Sequence, residues 1–199
     1  EDGATHQSVE DIALMRSLPN MTVINPADAV EAKKAVRAAA SYEGPVYLRL
    51  GRHPVDTISD DRYKFNIGKG ALLREGKDVA LIATGVMVSR ALEAAESLKI
   101  QGIDAMVVNM STIKPIDKAI ILKAATCRAI VTAEEHSIIG GLGSAVAEIL
   151  AEEKPTIMKR IGIEDKFGQS GKPEQLLEHF GLTAQNIAET AKNLLEKFA

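Results

Sequence analysis

Three short apolar runs recur in the second half of the chain, at 78–84 (DVALIAT), 105–110 (AMVVNM) and 129–133 (AIVTA), and the gap before each successor fits one helix. Runs that are apolar at successive positions have no solvent face, so both sides of the sheet they build must be covered. The intervening segments supply the cover. Residues 87–101 place Ala91, Leu92, Ala95 and Leu98 on one helical stripe, and 117–125 and 142–152 read as further helices. A fourth strand is expected at 156–161, an edge strand around 70–74, and two terminal helices at 173–180 and 183–198. Strand and helix in strict alternation give a mostly parallel sheet between two helical layers, so residues 63–199 are expected to form a three-layer α/β/α domain.

Residues 1–62 hold less. Met21 to Ile24 reads as a short strand and Val46 to Leu50 as a second. Between them, Asn25 is expected to cap a helix that has Pro26 at its first position and Asp28 near its positive end. Val30, Ala35, Val36 and Ala39 continue that helix's apolar stripe. One βαβ unit is too little to stand as a doubly wound domain. It either packs onto the second domain or is the tail of a second α/β domain, and the opening EDGATHQ, which reads as a loop from mid-domain, favours the tail. Arg52 to about Lys64, rich in Pro and Asp, reads as an inter-domain linker.

Composition narrows the function classes. A net charge of −3 lacks the concentrated basic face of nucleic-acid binders, and no apolar run approaches the roughly 18 residues of a membrane helix. The single Cys127 excludes an internal disulfide framework, so a reducing cytoplasm is the expected compartment.

Several residue groups could carry chemistry. Asp2 and His6 flank a glycine in the opening loop, and an imidazole suits proton transfer near neutral pH. The plainer alternative is that His6 merely precedes a helix capped by Ser8, with Asp11 three residues on. Arg52 lies past the carboxyl end of the second strand, the edge at which open parallel sheets bind ligands, and a guanidinium there suits a phosphate. Arg49, within the strand, is expected to form a structural ion pair, and His53 is an accessory candidate. Glu134, Glu135 and His136 make a weak metal signature because sequence neighbours point different ways, and a structural or interface role is expected. GGLGSAVAE could cradle a phosphate at a helix start but lacks a P-loop ending, so close helix–sheet packing is the better reading. His179, beside a helix end, reads as structural.

In order along the chain, EDGATHQ, LMRSLPNMTVINPADAVEA, GPVYLRLGR, TIKPID and DKFGQSGKPEQLLEHFGLTAQNIAETA resemble the C-terminal half of transketolases, most closely the type built from two separate subunits. The resemblance implies that 1–62 is the end of the thiamine pyrimidine-binding domain plus linker and 63–199 the transketolase C-terminal domain. It implies a two-carbon ketol transfer between sugar phosphates in the pentose phosphate pathway. Thiamine diphosphate and Mg (or Ca) serve the complete enzyme, with none expected on this chain alone. Asp2 and His6 would meet the donor hydroxyls, with His6 also shuttling a proton, and Arg52 would hold the substrate phosphate. Gly51 and His53 flank Arg52 where long-chain transketolases have Ser and Gln. The Glu that meets the aminopyrimidine would lie upstream, so the chain alone is expected to be inactive. The implied partners are an N-terminal diphosphate-binding subunit or domain and a homodimer-type interface. The alternatives are another thiamine enzyme (1-deoxyxylulose-5-phosphate synthase or a 2-oxoacid dehydrogenase β subunit) or a non-catalytic assembly domain with a nucleotide on its sheet.

Overall fold

The computed structural model describes residues 2–198. The chain begins with a 3₁₀ turn, Ala4–His6, followed by α1 (Asp11–Ser17), β1 (Thr22–Ile24), α2 (Ala29–Ala40) and β2 (Val46–Leu48). β1 and β2 pair in parallel, with Val23 opposite Tyr47, as a βαβ unit requires. After an irregular stretch come β3 (Ala71–Arg74), β4 (Val79–Ala83), α3 (Met87–Ile100), β5 (Ala105–Asn109), β6 (Thr112–Lys114), α4 (Lys118–Ala124), β7 (Ala129–Ser137), α5 (Leu142–Glu153), β8 (Met158–Ile163), α6 (Pro173–His179) and α7 (Ala184–Lys197).

The larger sheet has the order β3-β5-β4-β7-β8, parallel except for β3. Its two faces follow from the strand period of two. Val79, Leu81, Ala83, Val107 and Val131 pack with α3 and α7, while Ala80, Ile82, Met106, Val108 and Ile130 pack with α4 and α5. The three-layer α/β/α arrangement is the one the apolar runs call for.

The smaller sheet has the order β2-β1-β6, and its third strand belongs to the second half of the chain. β6 pairs antiparallel with β1, so the first segment is fastened to the second by a shared sheet. Three local expectations are corrected. Asn25 does not cap α2. Asp28 does, its carboxylate accepting from Glu31 N at 2.7 Å. The peptide of Asn25 is committed elsewhere, its N–H to Ser111 O at 2.7 Å and its C=O to the Thr84 hydroxyl at 3.2 Å, so the helix starts later, with Ala29 rather than Pro26 in its first turn. Ser8 does not cap α1, whose N-cap position is Glu10. β7 does not end with the apolar run at Ala133 but continues four residues to Ser137, through an irregularity against β8, so Glu134, Glu135 and His136 belong to the strand.

The linker is irregular but held along its second half. Asp28 accepts from Ile58 N and Ser59 N at 2.9 and 2.6 Å. The Lys34 ammonium donates to Asp61 O at 2.9 Å and also reaches Tyr63 O. Deeper, the fully buried Glu31 accepts from Ala27 N (2.7 Å), Asn109 Nδ2 (3.0 Å to each oxygen) and the Tyr63 hydroxyl (2.5 Å). Burial and the Glu31 charge push the Tyr63 phenol far up, so it remains a donor. One carboxylate thus joins α2, the linker and the end of β5. Glu31→Ala leaves these donors without their acceptor and should cost about 3 kcal/mol. We expect a melting temperature lower by roughly 6–12 °C and faster proteolysis at 57–63, read by thermal melts and mass-mapped digestion.

Candidate functional site

Gly3 opens the site. Its φ of 83° is one that glycine adopts without strain, and a Cβ there would stand 3.0 Å from Ser170 Oγ. The 3₁₀ turn follows, closed by His6 N donating to Gly3 O at 3.0 Å. This turn exposes the His6 imidazole, whose Nδ1 lies 3.0 Å from the Thr5 hydroxyl. Arg52 leaves the carboxyl side of β2 with its side chain 82% exposed and forms an ion pair with Asp2. The fold therefore brings Asp2 and Arg52, fifty residues apart, to one spot, with His6 in the adjacent turn. Two donors on one guanidinium can hold a phosphate or another terminal anion, while a neighbouring carboxylate and imidazole can accept and donate to hydroxyls.

The second half of the chain supports this loop. Gln7 Nε2 donates to Gln169 O at 2.8 Å, and His53 approaches Glu174 at 3.5 Å, which in turn holds Arg90 at 2.8 Å. Nothing in the sequence around Gln7 marks it as half of a long-range pair. That contact is a tertiary fact.

Arg49 makes the structural ion pair expected of it, but from just past β2, which ends at Leu48, and not from within the strand. It donates from Nε to Asp11 at 2.9 Å and from Nη2 to Ser8 O and Glu135 O at 3.1 Å each. Burial raises the Asp11 pKa, but Arg49 and the Tyr47 hydroxyl (2.7 Å) outweigh it and hold the carboxyl below its ordinary value. Burial and Asp11 together push Tyr47 up to about 12.

Glu134 and His136 are fully buried and stand apart from the exposed cluster. Glu134 accepts from Leu142 N and Gly143 N at 2.6 and 2.8 Å and so caps α5, which has no side-chain cap of its own. Burial pushes its pKa up to about 7, against the pull of those two N–H groups. A Cβ at Gly141 would sit 1.9 Å from the Glu134 carboxylate, which is why GGLG is glycine there. This turn has no room for a diphosphate, because the Glu134 carboxyl group of the chain already takes its N–H groups. Among the described residues no group of three His, Cys, Asp or Glu side chains could hold a metal ion, and no helix is long and apolar enough to cross a membrane. Cys127 is buried, and burial first, then Asp78, raises its thiol to about 11, so it stays protonated. His179 packs edge-on against Phe180, with ring centroids 4.9 Å apart.

Comparison with known proteins adds the context. Residues 1–56 match the model of the transketolase pyrimidine-binding domain, and residues 68–187 that of the transketolase C-terminal domain. The chain is 46% identical, over 98% of its length, to a 6-deoxy-6-sulfo-D-fructose transketolase subunit from Clostridium sp. (strain MSTE9), of which it covers 61%. It is 48% identical, over 99% of its length, to a putative transketolase C-terminal section from Methanocaldococcus jannaschii, of which it covers 63%. A solved structure described as a split-gene transketolase, inactive β4 tetramer, superposes with a TM-score of 0.94 at 50% identity, over 98% of this chain and 64% of that one. The chain thus spans less than two thirds of the length of these relatives.

The buried pair also sets a pH response. Burial lowers the His136 pKa, so the unfolded chain takes up a proton first as pH falls below about 6.5, and stability drops. Glu134 acts in the opposite sense. Between about 4.5 and 7 the native state keeps a proton that the unfolded chain has lost, so its contribution weakens as pH rises. We expect His136→Gln to lose less melting temperature than the parent between pH 7.5 and 5.5, and Glu134→Gln to lose more, as measured by scanning calorimetry.

Proposed function

The chain belongs to the transketolase family, and on that premise we propose that it is the C-terminal portion of a split transketolase, contributing the donor-binding edge of an active site completed by an N-terminal, diphosphate-binding partner. The observation that carries this reading is the convergence of Asp2 and Arg52 beside the turn that holds His6, at the carboxyl end of β2. Asp2 and His6 bind the hydroxyls of a ketose donor, and His6 moves a proton to and from the substrate oxygen. Arg52 grips the terminal anion, displacing Asp2 from one side of its guanidinium.

Members of this family are thiamine diphosphate enzymes, and the cofactor supplies the carbanion chemistry when bound. By the resemblance to the family, its diphosphate and Mg (or Ca) fall to the N-terminal partner. The chain alone is therefore inactive, and by analogy with the tetrameric relative it associates with its own copies. We place the domain boundary between 62 and 63, the enzyme in the cytoplasm, and its reaction among the sugar phosphates of the pentose phosphate pathway. A second reading comes from the sulfo-sugar relative, since a sulfonate presents Arg52 with the same terminal oxygens.

The test is kinetic, on the enzyme assembled with its N-terminal partner, thiamine diphosphate and magnesium. Charge-assisted bonds to a phosphate are worth about 1.5–3 kcal/mol, roughly ten- to 150-fold in kcat/KM. Arg52→Ala should lower kcat/KM by that factor for xylulose 5-phosphate and leave erythrulose, which has no anion, nearly unchanged. Sulfofructose as the better donor would select the second reading. Equal losses on charged and uncharged donors would remove Arg52 as the anion anchor.

A further inference from the structure

We propose that His136 is a positioning residue for the donor-binding loop, acting from the second half of the chain through the first turn of α1; the assignment of that loop rests on the function proposed above. α1 starts without a side-chain cap. The carboxylate of its N-cap residue, Glu10, turns back to Val9 N at 2.9 Å. The first N–H groups of a helix need acceptors from somewhere. His136 provides one, its Nε2 accepting from Ala13 N at 3.4 Å. The tautomer is set by the other nitrogen, since Nδ1–H donates to Ser137 O at 2.7 Å and leaves Nε2 with its lone pair.

The rest of this end of β7 grips the same segment. Ser137 N donates to Val9 O at 2.7 Å, Glu135 O accepts from Arg49, and beyond the strand Gly140 O accepts from Arg16 at 2.6 Å. The segment is thus held on both sides of Glu10, and only residues 7–10 separate α1 from His6. A fully buried imidazole at this point fixes where α1 begins, and with it where the Asp2 and His6 side chains stand relative to Arg52. The cost of losing that register can be large, because a misplacement of about 1 Å can lower a rate on the order of a hundredfold.

Two substitutions separate the role from mere stability. His136→Gln keeps an acceptor near the Nε2 position. His136→Asn keeps a donor near Nδ1 but cannot reach Ala13. In the assembled enzyme, His136→Asn should lower donor kcat/KM by roughly ten- to a hundredfold. Acceptor KM should hold, and His136→Gln should recover most of the loss. In amide hydrogen exchange of the chain, residues 3–13 should exchange faster in His136→Asn than in His136→Gln, with 79–83 equally protected in both. Should His136→Asn not fold, His136→Leu, which fills the buried site without offering Ala13 N an acceptor, is read the same way. Equal donor kinetics in the Asn and Gln variants, or unchanged exchange at 3–13, overturns the proposal. Asp2→Ala and His6→Ala serve as the reference. If they impair the donor while His136→Asn does not, only the positioning role falls. If they leave donor kinetics intact, the donor-loop reading falls, and hydrogen exchange alone decides the role of His136.

Discussion

The buried carboxylate of Glu31 is the interaction on which the rest depends. A carboxyl group without access to water is tolerable only when its oxygens are filled, and here they take a backbone N–H, an amide and a phenol. Those donors come from three separate parts of the chain. The start of α2, the end of β5 and the linker are thereby fixed to one another. Asp28, one turn earlier, adds the linker peptides of Ile58 and Ser59. The long irregular connection is thus a strap over its second half and exposed near Arg52.

The same contacts fill the crevice where an open α/β sheet would bind a ligand. β4 lies between β5 and β7 in the large sheet, and its carboxyl end leads into Thr84 and Gly85. The Asn25 side chain stands over Gly85, where an added Cβ would meet it at 2.6 Å, and Glu31 takes the Asn109 amide at the end of β5. At the neighbouring end of β7, Glu134 occupies the helix start that would otherwise attract an anion. The larger domain therefore spends its ligand-binding edge on the chain's own first segment. A nucleotide-binding module, the non-catalytic alternative, would need that edge open.

What the larger domain gives in return is position. Its β7 end fixes the entry to α1, and Gln169 takes the side chain of Gln7 just after the 3₁₀ turn. Asp2, His6 and Arg52 are exposed side chains carried by loops and a single 3₁₀ turn. Elements built this way hold a geometry only when a packed scaffold defines both ends of the loop.

The layered α/β class was legible in the sequence because burial on both faces leaves a direct mark: DVALIAT, AMVVNM and AIVTA have no polar side to give away. Arg52 was legible as a strand-end residue because GPVYLRLGR reads as a strand that closes before it, while Asp2 and His6 were singled out only through a resemblance to a family loop. The start of α2 was misread because Asn25 and Asp28 are both competent caps, and only the claim of Ser111 and Thr84 on the Asn25 peptide decides between them. The role of Glu134 was open for a similar reason, since a carboxylate followed by a histidine reads alike whether it meets a metal, a substrate or a helix start. The sequence by itself determined the alternation of elements and the apolar faces, because these depend on each residue's neighbours in the chain. The tertiary structure alone decided that Asp2 meets Arg52, that Glu31 joins three segments and that His136 caps a helix more than a hundred residues away, because a hydrogen bond needs a partner in space and the chain order does not name it.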